Sequence, residues 1–129
     1  MVVHSYGLRA TEPATQAGGR MQDLVNLYVS NIDDGHSRIK MDEVDRHIDN
    51  TWFTWIGGTE DDSAFYYRIQ GPVILIEFDH QRPANLAKFA ADPKKPTQQH
   101  VHCVVRTPNG NDYGKDLLRQ HYLAHPHTT

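Results

Sequence analysis

The sequence predicts an α+β fold, with two N-terminal helices, a four-stranded antiparallel meander sheet and a C-terminal helix. Two observations indicate this class. Apolar residues near the N-terminus recur at helical spacing, and from residue 52 onward they gather into short β-branched and aromatic segments separated by turn residues. Because most connections between these segments are short, we expect consecutive strands to be neighbours and the helices to cover one face of the sheet.

The N-terminal third of the chain predicts a flexible arm and two helices. Residues 1–19 contain Pro13 and Gly18-Gly19 without an apolar period, and are interpreted as a flexible arm. One apolar helical face follows, and the turn residues 33–35 end it. A second helix is expected from about residue 37 to residue 48. The first apolar face consists of Met21, Leu24, Val25, Tyr28 and Ile32.

The remainder of the chain predicts four strands and a helix. Prolines place residues 81–99 in a loop. The turn 108–112 precedes a last helix at 113–124, and residues 125–129 are expected to be a disordered tail. Residues 20–124 are therefore interpreted as a single α+β domain. The predicted strands are 52–56, 64–70, 73–79 and 100–106.

Composition and charge exclude several function classes. The net charge is −3 and no basic cluster is present, so no nucleic-acid partner is expected. No apolar run approaches the roughly 18 residues of a membrane span, and no secretory signal is visible. Together with the single cysteine, Cys103, this predicts a cytoplasmic protein. The 38% hydrophobic content is modest, which favours an exposed face covered by a second subunit, as in a homo-oligomer, or by a further segment of a longer chain.

Side-chain alternation predicts one chemically distinctive face of the sheet. In the third strand, Glu77 and Asp79 point to one side and an apolar set points to the other. In the fourth strand, His100, His102 and Arg106 share one side. If the apolar sides lie under the helices, these five polar side chains occupy the same open surface. The same alternation places Cys103 on the apolar side, as a small core residue.

This face predicts a metal site. Imidazoles at positions i and i+2 of a strand are about 7 Å apart at Cβ and can converge on one ion. His100 and His102 with Glu77 resemble the two-histidine, one-carboxylate set of non-haem iron, or a catalytic zinc site with an open position, so a divalent Zn or Fe ion is the expected cofactor. Arg106 is expected to hold an anionic group of a small-molecule ligand. Alternatives for the third ligand are Asp79, His80 and His121.

Other interpretations of these residues stay open. His100 and His102 also fit a solvated sheet face that makes ordinary cross-strand pairs with Glu77 and Asp79. Metal-free acid–base chemistry would use His102 or His121 as the base, with a carboxylate such as Asp79 orienting it. A non-catalytic binding or assembly module would instead use the aromatic-rich strands to dock a subunit. The candidate catalytic residues are His121, Arg106 and Asp79.

Several segments resemble the domain-of-unknown-function 3500 family, over roughly residues 20–123. The resemblance is to the C-terminal part of longer members, which implies a fragment, a short paralogue or half of a site, and it implies no settled activity. The segments are Trp52–Gly58, Phe65–Pro72, Ile74–His80, His100–His102 and Arg106–Tyr122. The resemblance also implies that these residues belong to family motifs: Tyr67, Arg68, Glu77, His100, His102, Arg106, Asp116, Arg119 and His121.

Overall fold

A computed structural model describes residues 7–10, 16–83, 88, 92–108 and 123–124. It has two helices and a five-stranded antiparallel sheet, which confirms the α+β class. Neither helix has the length and hydropathy that a membrane span requires. The elements in chain order are β1 (Leu8–Arg9), α1 (Gln16–Val29), α2 (Asp34–Arg46), a 3-10 turn (Ile48–Asn50), β2 (Trp52–Gly57), β3 (Phe65–Gln70), β4 (Leu75–His80) and β5 (Val101–Arg106).

The prediction of four strands is corrected to five by β1. Leu8 pairs with Phe53 and Arg9 pairs with Trp52, so two residues of the segment interpreted as an arm extend the sheet beyond β2. The Arg9 guanidinium lies 4.9 Å from the centre of the Trp52 ring, a cation–π contact. A strand of two residues is too short to show an alternating pattern. The predicted C-terminal helix lies outside the described residues except for its last two, Leu123 and Ala124.

The first turn of α2 begins earlier than its apolar pattern indicates. The Asp33 side chain accepts a hydrogen bond from the Gly35 N–H at 3.0 Å, which caps the helix. Asp34 then becomes the first helical residue, three positions before the predicted start. The three turn residues 33–35 were interpreted from sequence as the end of the first helix. In the structure α1 ends earlier, at Val29, and Asp33 is instead the N-terminal cap of α2.

The sheet is a meander in the order β1-β2-β3-β4-β5, with every neighbouring pair antiparallel. In the β4–β5 ladder Asp79 faces His102, Glu77 faces Val104 and Phe78 faces Cys103. Directly opposite residues share a face, so the predicted polar face and apolar face both form.

The helices pack on the apolar face. Val25 of α1 and Val44 of α2 are fully buried against Ile69 of β3 and Ile76 of β4. Burial of an aliphatic side chain of this size stabilises the fold by about 1.5–3 kcal/mol. Towards one end of the sheet an aromatic row extends this face, where the Trp55 ring stacks on Phe65 at 4.3 Å between centroids. The candidate site lies on the opposite face of the sheet.

Candidate functional site

A charged cluster occupies the middle of the open face. The Tyr66 hydroxyl donates to Oε1 of Glu77 at 2.6 Å, and Nη2 of Arg68 donates to the same oxygen at 2.9 Å. Nε of Arg68 also donates to the Tyr66 hydroxyl oxygen at 2.8 Å. The register brings the three together, because Arg68 pairs directly with Glu77 across β3 and β4 and Tyr66 is the next residue along β3 on the same face.

This cluster fixes the protonation of its members. Partial burial raises the pKa of the Glu77 carboxyl, but the hydrogen bonds from Tyr66 and Arg68 outweigh burial and leave that pKa below its ordinary value. Burial and the hydrogen bond to Glu77 raise the pKa of Tyr66 to about 12. At neutral pH Glu77 is therefore an ionised carboxylate, held between a cation and a neutral phenol.

His100 and His102 form a second cluster further along the same face. Their Nε2 atoms are 2.9 Å apart, and the two rings stand at 70° to each other. Nδ1 of His100 is hydrogen-bonded to the carbonyl oxygen of Arg82. A carbonyl can only accept, so Nδ1 of His100 carries the proton and its Nε2 presents a lone pair. The two Nε2 atoms are hydrogen-bonded to each other, and Nε2 of His102 is the donor because Nε2 of His100 is the acceptor.

The end of the β4–β5 ladder explains how His100 reaches this position. The Gln81 N–H donates to the His100 carbonyl at 2.8 Å, and the Thr97 N–H donates to the Gln81 carbonyl at 3.0 Å. The bond between Gln81 and His100 continues the ladder one pair beyond the ends of β4 and β5, and the bond from Thr97 holds the turn that precedes β5. The His100 side chain therefore stays in the alternation of β5, on the same face as His102.

The structure places the two candidate carboxylates differently. Asp79 lies directly opposite His102, and its Oδ2 accepts a hydrogen bond from Nε2 of Gln81 at 2.8 Å. Glu77 is one pair further along, opposite Val104, and is engaged by Arg68. Within the described ranges, no three His, Cys, Asp or Glu side chains group closely enough to hold a metal ion together. The structure therefore brings together the two histidines, with Asp79 as their nearest candidate carboxylate in register.

The remaining candidate residues lie apart from the histidine pair. Arg106 is on the same face, opposite Leu75, and its charge helps to lower the pKa of Glu77. His80 pairs with Val101 on the helix-covered face, where its Nδ1 accepts the Phe65 N–H at 3.0 Å. His121 falls outside the described residues.

Sequence reasoning missed a contact between the sheet and α1. The hydroxyls of Tyr28 and Tyr67 are hydrogen-bonded to each other, and burial raises the pKa of both phenols. Cys103 lies close enough to interact with both phenols. The prediction of Cys103 as a core residue is wrong, since it is exposed. Alternation identified its face correctly but could not show that β5 is at the edge of the sheet.

A cleft of about 790 Å³ opens between the helices and the end of β5. Ile32, Ile39 and Val105 provide apolar lining. Nζ of Lys40 crosses it to the Val73 carbonyl at 2.7 Å and to Oγ1 of Thr107 at 3.3 Å. The cleft lies on the helix-covered side, away from the histidine pair.

Comparison with known proteins places this arrangement in a family. A family model described as protein of unknown function (DUF3500) matches residues 1–115. The chain belongs to this family. The resemblance predicted from the sequence motifs is thus confirmed, and the DUF3500 match includes Glu77, His100, His102 and Arg106 but ends before His121. No curated protein and no solved structure matches the chain.

Proposed function

We propose that this DUF3500 protein is a metal-dependent enzyme, an oxygenase or a hydrolase, that acts on a small anionic molecule. The supporting observation is the 2.9 Å separation of the Nε2 atoms of His100 and His102, with Nδ1 of His100 held by a backbone carbonyl. A metal-binding histidine typically donates its other ring N–H to such an oxygen, which fixes the tautomer and orients the lone pair.

A metal ion that replaced the proton between the two nitrogens would fit their separation. Imidazole nitrogen binds zinc at about 2.0–2.1 Å, so two nitrogens bound at a right angle are about 2.9 Å apart. A tetrahedral angle opens the separation to about 3.4 Å, which a small rotation of either ring of His100 or His102 would supply. Both octahedral iron and tetrahedral zinc are therefore compatible with the pair.

Asp79 is the better third ligand on this face. Cβ atoms of directly opposite residues in an antiparallel pair are about 4.5–5.5 Å apart, so the Asp79 carboxylate can turn towards the His102 ring. The hydrogen bond that Asp79 accepts from the Gln81 amide involves no charged partner. Glu77, the first choice from the sequence, would have to give up its ion pair with Arg68. Two histidines and one carboxylate leave coordination positions open for water and substrate.

Arg106 supports the choice of an anionic substrate. It is an exposed cation on the same face as the histidine pair. A guanidinium binds a carboxylate or phosphate in a bidentate manner and stays charged at all working pH values. Bound to the metal and to a guanidinium, a substrate would be oriented at two points.

Metal binding by untagged protein tests the proposal. Wild type, a His100→Ala/His102→Ala variant and a His36→Ala control are incubated with Zn²⁺ or Fe²⁺, desalted and assayed by elemental analysis. His36 is an exposed histidine of α2, so its replacement removes an imidazole without touching the sheet. We expect about one ion per chain in wild type and control and near zero in the double variant. Equal, near-zero metal in all three proteins would overturn the proposal.

A second candidate function, a non-catalytic assembly module, has its own supporting observation. All six residues of β5 are exposed, although the helices pack against one face of the sheet to which β5 belongs. An exposed strand edge is a common site for pairing with another chain. A wild-type protein that binds neither Zn²⁺ nor Fe²⁺ but forms a stable oligomer would favour this function over the enzyme.

A further inference from the structure

Among the residues that the structure describes, β5 is an edge strand of the sheet, and its side chains are exposed. Val101, Val104 and Val105 are 42%, 44% and 50% exposed, respectively. Natural proteins usually protect such an edge with lysine, proline, inward-pointing charges or a bulge. β5 contains no lysine, proline, aspartate or glutamate, and its one permanent charge, Arg106, is at its end. Its sequence therefore does not oppose the addition of another strand.

The β4–β5 ladder determines which backbone groups point outward from this edge. The Gln81 N–H donates to the His100 carbonyl, so this pair is a hydrogen-bonded pair. Hydrogen-bonded pairs alternate along an antiparallel ladder, so every second residue of β5 turns its N–H and C=O away from β4. These residues are Val101, Cys103 and Val105.

We propose that a second copy of the chain pairs antiparallel with β5 across a two-fold axis that passes through Cys103. Such an axis, perpendicular to the sheet, requires one residue to face its own copy and keeps the helices of both copies on the same side. With Cys103 on the axis, Val101 faces Val105 of the partner subunit. Every outward N–H and C=O within β5 then has a partner in the second copy. An axis through any other residue of β5 would leave some of these groups beyond the end of the partner strand.

Side chains support the same register. The outward residues Val101, Cys103 and Val105 all lie on the helix-covered face. Across the axis they form one continuous apolar stripe with the same residues of the second copy, and each valine loses water on pairing. The two five-stranded sheets join into one, and the β5 edge of each copy is paired.

This dimer also completes the candidate site, a consequence that rests on the proposed function. Within one chain, His102 and Arg106 are four positions apart, which is about 13 Å along a strand. Across the axis, His100 faces Arg106 of the partner subunit in a non-hydrogen-bonded pair, with Cα atoms about 4.5 Å apart. The histidine pair of one chain and the guanidinium of the other then act on one small anion.

Oxidative cross-linking tests the interface and its register together. Cys103 is the only cysteine, so a disulfide-linked dimer formed by diamide under native conditions reports Cys103 facing its own copy. Its Cα atoms would be about 5.5 Å apart, within the range of a disulfide. Two matched variants move the thiol, Cys103→Ala/Val104→Cys and Cys103→Ala/Val101→Cys. We expect efficient cross-linking only in wild type. Preferential cross-linking through position 104 would overturn the register.

Light scattering on a sizing column tests the dimer without oxidation. We expect wild type to elute as a dimer and Val101→Lys/Val105→Lys, which places like charges across the axis, as a monomer. The control is Ile56→Lys, because Ile56 is a β-branched residue of β2, 59% exposed, away from the β5 edge. The control should remain dimeric. A monomeric wild type, a dimeric double-lysine variant or a monomeric control would overturn the interface.

Subunit mixing tests whether the site is shared. The probe is inorganic phosphate, with binding measured by calorimetry on Zn²⁺-loaded protein. His102→Ala and Arg106→Ala should each lose phosphate binding. A mixed dimer of the two variants has one intact site, which combines the histidine pair of one chain with Arg106 of the other. Random mixing makes about half of the dimers mixed, so about a quarter of the wild-type sites should return. No recovery in mixed dimers, or no phosphate binding by Zn²⁺-loaded wild type, would overturn the sharing. Failure of wild type to bind Zn²⁺ overturns the proposed function instead and leaves the cross-linking result standing.

Discussion

Asp79 lies directly across the β4–β5 ladder from His102. Glu77, one pair away, is held by Arg68 and Tyr66. Replacement of Asp79 should therefore change metal binding, whereas replacement of Glu77 should change the stability of the fold.

Asp79→Asn should weaken Zn²⁺ binding by about 100-fold or more, because losing a ligand costs at least as much as losing an outer partner of one. Glu77→Gln should change the Zn²⁺ dissociation constant only a few-fold. The measurement is competition with a chromophoric chelator at neutral pH. The reverse order of effects would restore Glu77 as the third ligand.

Glu77→Gln should instead lower the free energy of unfolding. The variant leaves Arg68, whose side chain is only 19% exposed, without its counter-charge, and hydrogen bonds to charged groups contribute about 1.5–3 kcal/mol each. Urea denaturation followed by circular dichroism gives the difference. The control is Glu43→Gln, which breaks the more exposed pair with Lys40 and should cost less than about 1 kcal/mol. An equal loss of unfolding free energy in both variants would show that the Arg68–Glu77 pair stabilises the fold no more than the exposed pair does.

The stabilising effect of Glu77 should disappear in acid. Its folded-state pKa lies below the ordinary value of 4.5, so the ionised form stabilises the folded protein. That contribution is fully present above pH 4.5 and is lost as the pH falls through the lower folded-state pKa. The difference in urea midpoint between wild type and Glu77→Gln should therefore shrink steadily below pH 4.5. A constant difference down to the acid limit would contradict this assignment.

His100 and His80 should show opposite tautomers. Nδ1 of His100 donates to a carbonyl, whereas Nδ1 of His80 accepts from the Phe65 N–H. In metal-free protein at neutral pH, long-range ¹H–¹⁵N spectra should show the Nδ1–H form for His100 and the Nε2–H form for His80. The same tautomer in both rings would contradict one of these hydrogen bonds.

Periodicity was sufficient to predict most of the fold. The change from helical to alternating spacing at Trp52 separated helices from strands, and short turns predicted the meander. The strand β1 could not be predicted, because its two residues, Leu8 and Arg9, are defined by their partners in β2 and carry no pattern of their own. The exposure of Cys103 was missed for a related reason, since a strand's position in the sheet is a tertiary property.

The candidate site was predictable only in part. Alternation placed His100, His102 and Asp79 on one face, and the structure has them there. The pairing of Arg68 with Glu77 depends on the register between β3 and β4, which the sequence does not specify. A weaker signal was available, because Tyr66 and Arg68 alternate in phase and had to share a face. The role of the histidines as metal ligands stays a prediction.

The two tryptophans of β2 give the protein an intrinsic fluorescent probe on each face of the sheet. Trp52 and Trp55 are three residues apart on one strand, so their indoles emerge on opposite surfaces, one beside Arg9 and the other stacked on Phe65. In single-tryptophan variants, Trp52→Phe and Trp55→Phe, the remaining fluorophore would follow either the helix-packed face or the opposite face of the sheet. Emission changes on adding Zn²⁺ or on diluting the protein could then be assigned to one side of the sheet.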